Sequence, residues 1–252
     1  MLVRQAVVTA TSDASLESLA GIKPNLVLAF AAPHFFNDPG FAAGLGRAFP
    51  DARRVAVSTA GEISSQGVSD HSAVITAIHF DHIPFKVAST EIAGADDAAA
   101  AGRRLAEQLV AVDLKAVILL SQGVAVNGSA LIDGAVSVLG KHILLTGGLA
   151  GDNGAFTRTW AMLDDTVSDK LMLAIGFYGD AVAFSHGSFG GWQSFGPARR
   201  ATRVNGNVLH ELDGEPALTS TSAIWGSMHG ISPLPACCFP SPSCPMIAKK
   251  QD

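Results

Sequence analysis

Two loops rich in small residues are the strongest candidates in this sequence for a place where a ligand meets the backbone. Glycine lets a guest molecule approach main-chain amides closely, and a carboxylate beside it can accept a hydrogen bond from a ligand amine. The alternative for the second loop is a tight turn that packs two strands together, with Asp152 as its cap. The loops run over 58–62 and 147–152, and the predicted ligand-binding residues are Ser58, Thr59, Gly61, Glu62, Gly147, Gly148, Gly151 and Asp152.

His186 completes the predicted site. It lies in Ser-His-Gly-Ser, just before a segment of glycines and aromatic residues. A histidine in such surroundings can ligate a haem iron or bond to a ligand carboxylate. The alternative is a structural histidine on a strand. We predict no metal and no cofactor, with haem on His186 as the one exception left open.

The motifs of common enzymes are missing from the chain. Neither GxxxxGK[ST] nor GxGxxG occurs, so the glycine loops are not phosphate loops. Ser121, Asp152 and His186 could be imagined as a triad, but no G-x-S-x-G elbow supports any serine. H-E-x-x-H is absent as well. We therefore predict a binding protein, with a hydrolase or acyl-transfer enzyme as the distant alternative.

The charge and apolar patterning exclude two classes of partner. The net charge is −5 and no cluster of lysine and arginine appears, so nucleic acid is not an expected partner. The longest apolar stretches have the length of strands, far below the roughly 20 residues that span a bilayer. The N-terminus has no signal-peptide pattern. We expect a cytoplasmic protein without membrane contact.

Strands, helices and hairpins alternate along the chain. This order predicts an α/β (α+β) fold, in which helices pack on a mixed β-sheet. The stretches 25–90 and 116–185 each run from a buried strand through a helix and a small-residue turn to paired strands, so they are candidates for related sub-layers. Other predictions are a 73–80/85–91 antiparallel pair, a strand over 181–188, and a helix to Leu139 capped by Asn127 or Ser129.

Several segments resemble, in order, the FIST family of bacterial signal transduction. The resemblance covers about residues 5–218 and implies a sensory domain that binds a small ligand, such as an amino acid. Some members are haem proteins that sense nitric oxide and regulate a histidine kinase, with a histidine near His186, although SHGSFGGW differs from their pattern. The segments are PNLVLAFAAPH from Pro24, AVSTAGEIS from Ala56, SQG from Ser121 with Asn127-Gly128, TGGLAGDNGAF from Thr146 with Thr159, SHGSFGGWQSFGP from Ser185 and GNVLHELDGEPAL from Gly206.

The similarity stops at Leu218, where the family continues into a C-terminal domain. We predict a sensory domain over 1–218, with a linker from about 200, and a disordered tail over 219–252. Five of the twelve prolines and all three cysteines lie in that tail. Codons read one base earlier permit a family-like continuation that begins DLYERYLG. The hypothesis is therefore a frameshift at or near Leu218 that truncates the protein and exposes apolar surface. A divergent proline-rich tail is the alternative.

Overall fold

A computed structural model describes residues 1–10, 14–187, 198–205 and 208–217. These residues form two compact units, one over Met1–His186 and one that begins at Gly187. The predicted tail over 219–252 lies outside the described residues, as does the aromatic segment over 188–197.

The elements are labelled here in chain order. The helices are α1 (Ala14–Ala20), α2 (Pro33–Phe36), α3 (Pro39–Ala48), α4 (Ala98–Leu109) and α5 (Gly128–Leu139). The strands are β1 (Leu2–Val8), β2 (Leu26–Ala31), β3 (Arg53–Ser58), β4 (Glu62–Ser64), β5 (Gly67–Ser69), β6 (Ala73–His79), β7 (Phe85–Glu91), β8 (Leu114–Ser121), β9 (Leu144–Leu149), β10 (Ala161–Leu163), β11 (Thr166–Ser168), β12 (Leu171–Tyr178), β13 (Ala201–Asn205), β14 (Val208–Leu212) and β15 (Glu215–Pro216).

Two mixed sheets carry the first unit. The first has the order β1-β6-β2-β3-β10-β11, and the second has the order β7-β12-β8-β9. Each contains one parallel pair, β2 with β3 and β8 with β9, and the other pairs are antiparallel. The predicted α/β class, with helices on mixed sheets, is confirmed.

The sheets and helices form four layers. Alternate side chains of a strand point to opposite faces, so Ala56 packs towards the helices while Val55 and Val57 pack towards the second sheet. The apolar residues between the two sheets include Leu26, Leu120, Leu173 and Ile175. Helices α2 and α3 cover the first sheet, and α4 and α5 cover the second. Burial on both faces explains why β12 is apolar and buried along its whole length.

The first unit is an internal repeat of one order of elements. Each half runs strand, helix, strand, helical segment, strand, two-stranded hairpin and strand, from β1 to β6 and from β7 to β12. Within each half the strand order is also the same, β1-β6-β2-β3 and β7-β12-β8-β9. The hairpins keep the sequence Val-Ser-Asp at equivalent places, at Val68–Asp70 and Val167–Asp169. The two predicted sub-layers correspond to these repeats with different bounds: the repeats run over 2–79 and 85–178, not over 25–90 and 116–185, so β7 belongs to the second repeat and not to the first.

Two sequence-based predictions about strands are wrong. Strands β6 and β7 do not pair with each other, because β1 and β2 already occupy both edges of β6 and β7 joins β12 in the other sheet. No strand forms over 181–187, the described part of the strand predicted for 181–188. The helix cap is settled: the Asn127 side chain accepts from the Ala130 amide at 3.1 Å.

The second unit contains a small antiparallel sheet with the strand order β13-β14-β15. Most of its described side chains are exposed. Asp213 directly follows β14 and Arg200 directly precedes β13. The Asp213 carboxylate accepts from the Arg200 amide at 2.8 Å and so joins the two ends of this pair of strands.

Candidate ligand-binding site

The two glycine loops meet where β3 of the first sheet and β9 of the second sheet end. Ser58 is the last residue of β3, and its carbonyl oxygen accepts from the Gly151 amide at 2.8 Å. The Ser58 hydroxyl accepts from the Trp160 amide at 2.8 Å. The carbonyl and the hydroxyl of Ser58 are thereby hydrogen-bonded within the protein, and its side chain is fully buried. The structure thus brings together the two loops that the sequence singled out.

The close approach of the loops requires glycine at particular positions. A Cβ on Gly151 would lie 2.8 Å from the Ala60 nitrogen, and one on Gly123 would lie 2.0 Å from the Ala150 carbonyl oxygen. Gly147 has φ of 146° and packs against the Leu119 backbone. At Gly148, by contrast, a Cβ would meet no atom within 4 Å. Three of these glycines therefore serve packing, and Gly148 alone of the four faces open space.

Glu62 is buried at the base of the first loop, with 1% of its surface exposed. One carboxylate oxygen accepts from the Thr59 hydroxyl at 2.7 Å. The other accepts from the Ser72 amide at 3.1 Å and the Ser72 hydroxyl at 2.9 Å. A buried charge needs such partners. Glu62 and Thr59 therefore tie the loop to the start of β6, and their polar atoms bond to the protein.

Asp152 closes the second loop in a similar way. Its carboxylate accepts from the amides of Phe156, Thr157 and Arg158 at 2.7–3.1 Å. Burial acts to raise the pKa of Asp152, but these amides and the Thr157 hydroxyl outweigh it and hold the pKa below its ordinary value. The geometry corresponds to the capping role that the sequence left open for Asp152.

A surface cleft of about 260 Å³ lies beside the meeting point of the loops. It is lined by Ala60 from the first loop, Asn153 from the second, and Asp70 and His71 from the turn between β5 and β6. Both halves of the repeat therefore contribute residues to the lining of the cleft. The exposed ring of His34, on α2, lies 6.2 Å from the His71 ring.

Three polar side chains of the cleft are available to a guest. Within the described residues, Asp70, His71 and Asn153 have no side-chain hydrogen bond and no ion pair. His71 and Asn153 also share φ of 57°, a left-handed backbone that side chains rarely adopt. The cleft therefore offers a carboxylate, an imidazole and an amide on a constrained backbone.

The sequence singled out neither Asp70, His71 nor Asn153 as a site residue. The signals that could have found them are the repeated Val-Ser-Asp of the hairpins and the position of Asn153 directly after Asp152. The sequence could not show that the residues after the β4–β5 hairpin and a loop distant in the chain line the same cleft.

His186 is exposed at the end of the first unit and does not line the cleft. Ser121 is fully buried, and its hydroxyl donates to the Gln122 carbonyl at 2.8 Å. Within the described residues no hydrogen bond joins Ser121, Asp152 and His186. Over the same part of the chain, no group of three or more His, Cys, Asp and Glu side chains is arranged to hold a metal ion.

The fold and the cleft define an α/β domain with an open polar cleft beside the carboxyl ends of β3 and β9, and α/β proteins commonly bind ligands at the carboxyl ends of their strands. The family model of the FIST N domain matches residues 25–215, so the chain belongs to this family of sensory domains in signal transduction. A search of curated proteins gave no match. Among the described residues, no helix has the length and apolar character needed to cross a bilayer.

Proposed function

We propose that this FIST N domain binds a small zwitterionic ligand, an amino acid, in the cleft lined by Ala60, Asp70, His71 and Asn153. The observation that carries the proposal is that the polar side chains of this cleft have no hydrogen-bond or ion-pair partner among the described residues. In the buried loops beneath, by contrast, every carboxylate is bonded to the protein. Ligand groups would replace water as the hydrogen-bond partners of these exposed side chains.

The lining matches the two charges of an amino acid. The Asp70 carboxylate can accept from an α-ammonium group, and the His71 ring and the Asn153 amide can donate to an α-carboxylate. The predicted residues Ser58, Thr59, Gly61, Glu62, Gly147, Gly148, Gly151 and Asp152 then form the floor and rim that hold the lining in place. Among them Gly148, which faces open space, is the one we propose can approach the guest directly.

The volume of the cleft favours a small guest. Sites for drug-sized ligands enclose about 300–1,000 Å³. A cleft of about 260 Å³ suits a smaller molecule. We place the amino-acid proposal ahead of the haem-based nitric-oxide sensor because His186, the residue that would ligate the haem, is exposed and does not line the cleft.

The domain would act by binding and not by catalysis, because the cleft holds no nucleophile paired with a base. We propose that it works in the cytoplasm through a signalling partner, such as a histidine kinase. We also propose that residues 1–218 are the sensory domain and that the tail over 219–252 arises from a frameshift. The nucleotide sequence after the Leu218 codon tests that part: codons whose shifted reading is not family-like would contradict it.

A thermal-shift screen of the whole chain with the standard amino acids tests the ligand proposal. Binding to the native state adds about 2.7 kcal/mol of stability at a hundredfold excess over Kd. For a domain of this size that amounts to a rise in Tm of several degrees. We expect one or a few amino acids to raise Tm, and Asp70→Asn and His71→Ala to abolish the rise.

Asp51→Asn is the matched control, since Asp51 is exposed and lies outside the cleft. It should leave the rise in Tm unchanged. A screen in which no amino acid raises Tm, or a rise that survives Asp70→Asn, would refute the proposal. Haemin in the same screen covers the alternative: a Soret band that disappears in His186→Ala would favour the haem sensor.

A further inference from the structure

The hairpin formed by β4 and β5 carries apolar side chains that are exposed and do not pack in a hydrophobic core. Ile63 and Val68 are cross-strand partners on this hairpin, and they are 75% and 74% exposed. Within the described residues, neither β4 nor β5 pairs with any other strand. An exposed pair of β-branched residues on a two-stranded hairpin is a marginal structure in water.

The equivalent hairpin in the second half of the repeat is docked on a sheet. Met162 and Val167 are the cross-strand partners in β10 and β11 that correspond to Ile63 and Val68. Met162 is fully buried and Val167 is half-buried. Strand β10 is buried because it pairs with β3, and Met162 lies opposite Ala56 in that pairing. The two hairpins therefore occupy equivalent places in the repeat and differ in two respects: only the second pairs with a sheet edge, and residues 150–160 connect it to the preceding strand.

The edge that would receive the first hairpin is β9, the counterpart of β3. Within the described residues, β9 pairs only with β8. The Ala150 amide donates to the Ser121 carbonyl on β8. Because residues of a strand face alternate sides, the amides of Leu149 and Gly147 point away from β8, towards the free edge. Unpaired edges of this kind are templates for another strand.

The hairpin is tethered next to this edge. The bond from the Gly151 amide to the Ser58 carbonyl places the end of β3 beside the end of β9. Only residues 59–61 separate β3 from β4. Each extended residue spans at most about 3.3–3.6 Å, so this linker keeps the start of β4 close to the end of β3 and thus to the end of β9.

We propose that the β4–β5 hairpin docks on the free edge of β9 and completes a second six-stranded sheet, β7-β12-β8-β9-β4-β5. The register of the docked hairpin in the other half places Ile63 opposite Gly147 and Ser64 opposite Thr146. Ser64 and Thr146 then form a non-hydrogen-bonded pair, in which the Cα atoms are about 4.5 Å apart. Asp70 and His71 follow β5 directly, so docking moves one wall of the cleft. The use of that motion in sensing rests on the proposed function.

A disulfide trap tests the docking without any ligand. Ser64→Cys and Thr146→Cys are introduced together in the full chain, with Cys237, Cys238 and Cys244 replaced by serine. A Cα separation of about 4.4–6.8 Å permits a disulfide. We expect mild oxidation to give the intramolecular 64–146 cross-link, identified by mass spectrometry. The control pair, Ser65→Cys with Thr146→Cys, moves the thiol one residue into the hairpin turn and should cross-link at least tenfold more slowly.

The outcomes separate the possibilities. Equal rates for the two pairs, or no cross-link in either, would overturn the proposal. Cross-links only between chains would also overturn it and would indicate strand exchange between two copies. If the cysteine variants fail to fold, hydrogen exchange on the unmodified chain decides: protected amides at Gly147 and Leu149 support docking, and exchange at the unprotected rate contradicts it. Failure of the trap leaves the ligand screen untouched.

Discussion

The backbone amide of Gly151 donates a hydrogen bond of 2.8 Å to the carbonyl oxygen of Ser58. These residues belong to different halves of the repeat, and they lie at the ends of strands from different sheets. The bond fixes the place where the two halves meet, and the cleft lies beside it. The packing of these two loops therefore determines the shape of the candidate site.

Substituting Gly151 with alanine should separate the loops. Its Cβ would lie 2.8 Å from the Ala60 nitrogen and 3.0 Å from the Ala60 Cβ, and main-chain atoms give way only at a cost. Overpacking typically costs about 1–3 kcal/mol. We expect Gly151→Ala to lower the free energy of unfolding by that amount, as measured by urea denaturation.

Gly148→Ala is the matched control in the same loop. A Cβ there meets no atom within 4 Å, so we expect a change within about 0.5 kcal/mol, as for most surface substitutions. Equal losses in the two variants would mean that the loop tolerates no side chain at all, contrary to the contact described.

Glu62→Ala should destabilise the domain by about 1–3 kcal/mol, because it leaves the buried Ser72 amide and hydroxyl without an acceptor. Glu62→Gln should cost less, since its amide oxygen can still accept from Ser72 while its NH₂ group donates to the Thr59 hydroxyl. Thermal unfolding of both variants at one pH provides the comparison. A glutamine variant as unstable as the alanine variant would show that the charge itself is required.

His71→Gly should make the protein more stable while it weakens the ligand response. The left-handed backbone costs a residue with a Cβ about 1–2 kcal/mol, and glycine avoids this cost. Glycine also loses more chain entropy on folding, which offsets about 0.5–1 kcal/mol of that gain. A net gain of about 0.5–1 kcal/mol follows, measurable as a higher Tm.

Lys23→Gly is the control for that substitution. Lys23 has φ of 49° and does not line the cleft. It should give a similar gain in Tm and keep the shift produced by an amino acid. Loss of the ligand shift in both variants would indicate a general effect of flexibility.

The ion pair at the start of α4 should make stability depend on pH. Two guanidinium nitrogens of Arg104 donate to the two carboxylate oxygens of Asp97 at 3.0 and 2.9 Å. The Arg104 side chain first, and then the Ala93 amide, lower the pKa of Asp97 from 3.8 to about 2. The folded pKa lies below the ordinary value, so the stabilisation is complete above about pH 4 and is lost as the pH falls through about 2.

The size of this effect is limited by solvent, because the Arg104 side chain is 40% exposed. Exposed pairs contribute about 0.2–1 kcal/mol. We expect Asp97→Asn to lose up to that amount at pH 7 and almost none near pH 2, as measured by denaturation at both values. A loss that does not change with pH would assign the effect to packing of the helix start and not to charge.

Much of the architecture could be predicted from local patterns. The apolar run at Leu171–Tyr178 coincides with β12, and the cap at Asn127 is a local hydrogen bond that spans three residues. The two glycine loops could be found for the same reason, since a turn of small residues after a buried strand is encoded within a few positions. The sequence also indicated two related segments, over 25–90 and 116–185, but the repeats begin with β1 and β7, and the sequence placed β7 in the first segment.

The partners of the strands could not be predicted in the same way. Nothing local in Ala73–His79 reveals that β1 and β2 take both of its edges and send β7 to another sheet. The cleft could not be predicted for the same reason. Asp70 and Asn153 are far apart in the chain, and only the contact between the two halves brings them into one cleft.

By itself, the sequence determined most of the buried strands and the long helices, the two small-residue loops and the membership of a sensory family, because each depends on residues close together in the chain. Only the tertiary structure decided that Glu62 and Asp152 are bonded to the protein while Asp70, His71 and Asn153 face solvent. Whether a polar side chain is satisfied depends on which distant backbone groups surround it, and that is fixed only when the sheets pack.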